Sequence, residues 1–327
     1  MIKILYLPLA YSCEKQQGVI DAFRELGCEL EVFDFYTHYE NHHRNQRTTR
    51  QALIETAKRF KPDLVYCQIQ HTVIIDRDSL QAIKTFVPNV KIVQYTVDIR
   101  ASIQNSYYNV SKICDMNLIC STQQLQMYRD NGVPNVHFLQ VGYGPELYTP
   151  ESEPKKEYDY DTVFVANINT VDQYPGHSER IDAVYALKKE FGDRFGLFGN
   201  GWNRELKPVR PIDITRVVEE VYSKSFSCIS ISHFNEVDHY FSDRLLHCMA
   251  SSRPTVSWHF PKYESYFVDG CDLVIAKGPE DIVNKVKYLL ANKDKANFIG
   301  MNGAAKVFAE HTYLSRITEM LDMIGLR

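Results

Sequence analysis

The sequence predicts an α/β protein built from two Rossmann-like domains, and three observations carry that expectation. The amino terminus reads strand, loop, helix, glycine, strand. A second strand–helix series begins after Glu151–Tyr160, a charged, proline-containing segment without apolar periodicity. Between Phe226 and Ala276 lie three short apolar, β-branched runs of the kind that form buried parallel strands. The expected division is an amino-terminal domain over 1–150, a linker over 151–160, a second domain over 161–305, and a closing helix over 306–327.

In the first domain, Ile2–Leu7 reads as a buried strand, followed by the loop Pro8–Lys15 and a helix over Gln16–Leu26. Gly27 ends that helix and Glu29–Phe33 makes the second strand. The absence of a G-x-G-x-x-G turn argues against a nicotinamide dinucleotide. The polar segment Thr37–Arg50, with three histidines and three arginines, reads as a solvated loop or helix start, or more sharply as a mobile acceptor-side loop. His38, His42 and His43 lack a matching acidic or sulfur ligand and make a weak metal site. Ala52–Phe60 is helical, Leu64–Gln68 a strand closed by His71, and Ser79–Phe86 a helix capped by Asp78. The strand Val90–Tyr95 leads into Thr96–Arg100, and strands Cys114–Cys120 and Val136–Gln140 flank the helix Thr122–Asn131.

In the second domain, the strand Thr162–Ala166 precedes the helix Ser178–Phe191, and the strand Arg194–Phe198 ends in Gly199-Asn200-Gly201-Trp202. Those glycines allow close backbone approach, to a nucleotide or in a plain tight turn. A helix over Ile212–Ser223 leads to the strands Ser227–Ser232, Thr255–Trp258 and Leu273–Ala276. Between the first two of these, Leu245/Met249 and Leu246/Ala250 form i, i+4 pairs on one helix face. Ser242 is its natural N-cap and Asp243 suits the positive end of the helix dipole. Arg244 then offers a forked donor, fit for a diphosphate or for a plain surface position. Helices Glu280–Ala291 and Ala304–Ile324 close the chain.

Apolar residues at 44%, a net charge of −4 and no long apolar run describe a soluble protein without a membrane span or a global basic field for nucleic acid. Eight cysteines form no CxxC, and several sit in apolar strands, which points to a reducing cytoplasm.

The string from Ser242 to Ile317 resembles the carboxyl half of CgeB-like glycosyltransferases, relatives of the large retaining group with the two-Rossmann GT-B fold. In that family an arginine followed three residues later by an acidic residue opens the helix at Ser242. The GPEDIVNKVKYLL helix and the tail Ala309–Tyr313 with Arg316 follow in the family's order. TVDIR, DMNLICST, VGYGPELYTP and GNGW resemble earlier stations more loosely. The family's acidic residue falls on His247, and its partner glutamate eight positions earlier falls on His239. A neutral imidazole bonds a hydroxyl but carries no charge. The resemblance implies two domains facing each other across a cleft, with the last helix crossing back to the first.

It further implies a nucleotide-sugar donor and no separate cofactor. Asn167, Arg180, Gly199, Asn200, Gly201, Trp202, Ser242, Asp243, Arg244 and His247 are the donor-side candidates. Asp98 and His71 stand on the acceptor side, Asp98 as base or as a helix cap, His71 as base or as a structural histidine. Asp76-Arg77-Asp78 has the form of a D-x-D metal–diphosphate motif but more simply begins a helix, so the expected reaction is metal-independent. The acceptor is a glycan, a protein, a small molecule or hydroxymethylated DNA. A non-catalytic sugar- or nucleotide-binding module is the alternative from another class, kept alive by His239 and His247.

Overall fold

The structure is a computed structural model, and it describes residues 1–9, 17–100, 102–145, 157–168, 174–209 and 211–327. The chain packs as two compact units. One comprises Met1–Gly144 with Tyr313–Arg327, the other Pro145–Thr312. Most of the expected linker lies outside the described residues. Each unit holds one all-parallel sheet, as the Rossmann-like expectation requires.

In chain order the first unit contains β1 (Lys3–Leu7), α1 (Gln17–Glu25), β2 (Glu29–Val32), α2 (Phe35–Asn41), α3 (Gln46–Phe60), β3 (Leu64–Cys67) and α4 (Arg77–Phe86). Then come β4 (Lys91–Thr96), α5 (Asn105–Ser111), β5 (Met116–Ile119), α6 (Thr122–Asp130) and β6 (Val136–Phe138). The strand order is β2-β1-β3-β4-β5-β6. Alternation sends Leu5, Leu7, Val65 and Cys67 to one hydrophobic layer, and Ile4, Tyr6, Leu64 and Tyr66 to the other.

The second unit contains β7 (Tyr160–Val165), α7 (His177–Phe191), β8 (Phe195–Phe198), α8 (Val217–Glu220), β9 (Ser225–Ser230) and α9 (Asp243–Ala250). β10 (Thr255–Trp258), β11 (Val274–Ala276), α10 (Pro279–Ala291) and α11 (Lys293–Glu310) complete it. Its order is β11-β10-β9-β7-β8. Successive strands run outward to β8, then resume on the other side of β7 at β9, so the switch point lies between β7 and β9.

The last helix, α12 (Tyr313–Met323), returns to the first unit, where Ile317, Met320 and Leu321 join the layer containing Val19, Ile20 and Phe23 of α1. The tail and VGYGPELYTP stations, far apart in sequence, meet here. Tyr313 N donates to Tyr143 O at 2.9 Å and Arg316 Nε to Val141 O at 3.2 Å. A Cβ on Gly142 would lie 3.0 Å from Tyr313 N, so only glycine lets the two backbones approach this closely.

Several expectations are corrected. The single closing helix Ala304–Ile324 is two helices, because His311 N closes α11 on Val307 O while Tyr313 N is taken by Tyr143 O. The helix expected over Ile212–Ser223 breaks into the four-residue α8 between two 3-10 turns. There, Ser223 Oγ and Ser225 Oγ bond the carbonyls of Glu219 and Val221 at 2.7 Å each, competing with the helical ladder. The segment Thr37–Arg50 is mostly helical: Asp34 caps α2 and Asn45 caps α3, with His43 and Arg44 left-handed between them. Asp76, not Asp78, caps α4: its carboxylate accepts from Ser79 N and pairs with Arg50 at 2.7 Å. No helix among the described residues is long and apolar enough to cross a membrane.

Candidate functional site

In open parallel sheets, ligands bind beyond the carboxyl ends of the strands at the switch point. In the second unit that place is occupied by two arginines. Arg180, in the first turns of α7, is only 2% exposed. Its Nη2 donates to Ile231 O at 2.7 Å, while Nη1 lies 3.3 Å from Asn167 O and 2.7 Å from His233 Nε2. Half-buried Arg244, in the first turn of α9, donates from Nε to Val165 O at 2.7 Å and from Nη1 to the same Ile231 carbonyl at 3.2 Å. Burial, and then the Arg244 charge, lowers the Arg180 pKa well below its ordinary value. Neither guanidinium pairs with a carboxylate among the described residues.

Like charges so close, one nearly buried, favour an anion where their remaining donors point. Of five donors per guanidinium, the Arg180 Nε is buried without a partner among the described residues. The Arg244 Nη2 makes no hydrogen bond to them either.

His233 belongs to this group and was not legible in the sequence. Burial, then Arg180 and Arg244, pushes its imidazole down to about 3. The neutral ring accepts at Nε2 from Arg180, which leaves the proton on Nδ1. Tyr174 stacks on it at 4.7 Å, and His177 lies parallel at 6.3 Å. Gly176 N donates to His233 O at 2.7 Å, tying the start of α7 to the loop after β9.

The glycines of the GNGW turn pack against neighbouring backbone. A Cβ on Gly199 would sit 2.1 Å from Ala166 O, and one on Gly201 2.1 Å from Ile168 O. The close approach is therefore to the loop after β7. Asn200 N donates to Asn167 Oδ1 at 2.8 Å, and Trp202 Nε1 to Ala166 O at 2.7 Å. Trp202 is a core residue against Phe164.

Ser242 occupies the N-cap of α9 without a side-chain cap bond. Its hydroxyl lies 3.4 Å from Arg244 Nη1, and exposed Asp243 accepts from Arg244 N at 2.8 Å. His247 is 6% exposed and held neutral by burial and by Arg244, with Asp243 opposing. It therefore brings no charge where the family has an acid. His239 is left-handed at φ 65° with its ring edge-on to Tyr266.

In the first unit, Asp98 is exposed beyond β4 and accepts from Gln70 Nε2 at 2.7 Å. His71 is half-buried against Tyr36 at 5.4 Å, its pKa lowered by burial and then by Arg100. The structure thus groups His71, Gln70, Asp98 and Arg100 beyond β3 and β4. Among the described residues no three His, Cys, Asp or Glu side chains are placed to hold a metal ion, Asp76 and Asp78 included.

With this geometry in hand, residues 180–322 match the model of the glycosyl transferase-like family, just under half of the chain. The matched segment begins at Arg180 and runs through α9 into α12. Among solved structures, HepE from Anabaena, a complex with UDP and glucose, aligns at a TM-score of 0.67 and 12% identity, covering 99% of this chain and 100% of that one. A Rickettsia africae glycosyltransferase gives 0.67 and 14% over 98% and 97%, and a Thermosynechococcus elongatus sucrose-phosphate synthase gives 0.65 and 13% over 99% and 98%. A search of curated proteins finds no match. The fold is the two-sheet GT-B arrangement of these structures, and residues 180–322 are similar to the glycosyl transferase-like family.

Proposed function

We propose that the chain transfers a sugar from a nucleoside diphosphate donor to an acceptor hydroxyl, with the donor diphosphate on Arg180 and Arg244. The observation that carries this is the convergence of both guanidiniums on the Ile231 carbonyl at the switch point, with no described carboxylate to neutralise them. HepE is structurally similar over nearly all of this chain and was solved with UDP and with UDP-glucose, which supports a UDP-sugar as donor. The order of the sequence stations supports a CgeB-like member. Seven free thiols among the described residues fit a cytoplasmic site of action.

In the reaction, the bond from the anomeric carbon to the phosphate oxygen breaks and a bond to the acceptor oxygen forms. The hydroxyl proton leaves to the departing phosphate. Charge grows on the leaving phosphate, and the two preorganised guanidiniums stabilise it more in the transition state than in the ground state. Nη2 of Arg244 and Nε of Arg180 are the donors left for that task. Because these cations supply what a divalent ion supplies elsewhere, the transfer is metal-independent, and the family likeness supports retention of the anomeric configuration.

The test is UDP release from UDP-glucose, UDP-galactose and UDP-N-acetylglucosamine, first to water, then to a panel of hydroxyl acceptors, with and without EDTA. Release that persists in EDTA supports the proposal. Turnover abolished by EDTA and restored by Mn²⁺ would overturn metal independence. The absence of UDP binding would overturn the donor assignment itself.

A further inference from the structure

We infer that Arg100 is an anion anchor in the first unit, a binding site for a molecule that carries a phosphate or carboxylate group. This goes beyond the transferase proposal and stands independently of it. Arg100 lies beyond β4, four residues past Thr96, in a polar patch at the carboxyl ends of β3, β4 and β5.

Its guanidinium lies over the Tyr107 ring, 4.0 Å from the centroid. That ring is itself fixed, because the Tyr107 hydroxyl donates to Gln70 O. The Arg100 carbonyl accepts from Gln124 Nε2 at 2.6 Å, fixing the backbone as well. Yet the charge has no counter-ion among the described residues. Arg100 forms no ion pair with a described residue, and its Nε is buried without a partner among them. Asp98, two residues earlier, gives Oδ2 to Gln70 instead. An oriented, half-buried guanidinium held by an aromatic face and left with its donors unpaired is what forked recognition of an oxyanion needs.

A second observation points the same way. Of the described side-chain atoms that are buried and without a partner, Gln68 Nε2, Ser121 Oγ and Gln124 Oε1 also follow β3 and β5, on side chains 1%, 0% and 2% exposed. A buried polar group without a partner costs about 1–3 kcal/mol. Of these, Gln124 touches Arg100, at the Arg100 backbone carbonyl, and such buried groups at strand ends mark a place where a polar ligand or its waters complete the bonding.

The experiment follows the arginine Nε–Hε resonances of ¹⁵N-labelled protein saturated with UDP, so that Arg180 and Arg244 are already occupied. Arg100 is assigned by comparison with Arg100→Lys and Arg100→Gln, both checked for an intact amide spectrum. Sodium phosphate, sodium acetate and uncharged glycerol are titrated separately. The expected result is a saturable Arg100 shift with phosphate or acetate, at least about tenfold tighter than at exposed Arg204, and none with glycerol. Tighter phosphate assigns a phosphorylated ligand; tighter acetate assigns a carboxylate. An Arg100 response no stronger than that of Arg204 overturns the inference. Failure of UDP to bind strikes the donor assignment instead, and the Arg100 titration still reads out.

Discussion

At the scale of the residue, close backbone packing sets the most exacting demands. Gly199 holds φ +121°, and a methyl there would meet the Ala166 carbonyl at 2.1 Å. Gly199→Ala should therefore cost about 2–4 kcal/mol, combining left-handed strain with forced displacement of backbone. Urea unfolding checks this, and a loss under 1 kcal/mol would mean that the two loops are not so tightly joined. His233 offers a second measurement. Its folded pKa of about 3 lies below the ordinary 6.5, so the unfolded chain binds more protons between those values. Its contribution is intact above pH 6.5 and is lost as pH falls toward 3. Replacing it in His233→Gln should flatten this acid-side decline, so the urea midpoint of the variant should gain on the wild type between pH 7 and pH 4.5. A constant gap between the two would show that His233 is not held neutral by the arginines.

At the scale of the element, the returning helix α12 is the most consequential piece. Met320 is fully buried beside Ile317 and Leu321 in the layer shared with α1. Met320→Ala should cost about 2–5 kcal/mol through the cavity it leaves. Hydrogen exchange should locate the loss: α1 amides exchange faster while those of β7 to β11 are unchanged. Equal acceleration in both sheets would contradict a helix that belongs to the first unit.

The strands were legible in the sequence because buried parallel strands are short, apolar and β-branched, and their cores fall within a residue or two of expectation. Helices that depend on capping or on tertiary contacts were not. The polar, Tyr-rich α5 shows no apolar period, and Tyr107 matters there through its bond to Gln70. The break before Tyr313 comes from a carbonyl far away in sequence. In the candidate site, Arg244 was expected from helix position and resemblance, with Arg180 named beside it. The core packing of Trp202 against Phe164 was not legible, because the resemblance gives its station and not its neighbours. His233 and Arg100 carried no spacing signal, since their roles follow from which loops the two sheets bring together.

At the scale of the whole molecule, the GT-B fold rests on two parallel sheets, and the proposed chemistry rests on a pair of guanidiniums with no carboxylate partner among the described residues. Arg244 is more than an exposed cation, because its bonds to Val165 O and Ile231 O also join β7 to the loop after β9. Truncation will therefore lower the melting temperature, and activity alone would confuse a weakened fold with a lost contact. The decisive measurement is the calorimetric Kd for UDP and for uridine, in wild type and in Arg244→Ala, at a temperature where both are folded. Hydrogen bonds to charged groups contribute about 1.5–3 kcal/mol, and each 1.4 kcal/mol is tenfold in affinity. The preference for UDP over uridine should fall at least about tenfold in Arg244→Ala, and Arg244→Lys should recover part of it, while uridine binds each protein alike. An unchanged preference would contradict the placement of the diphosphate on this pair.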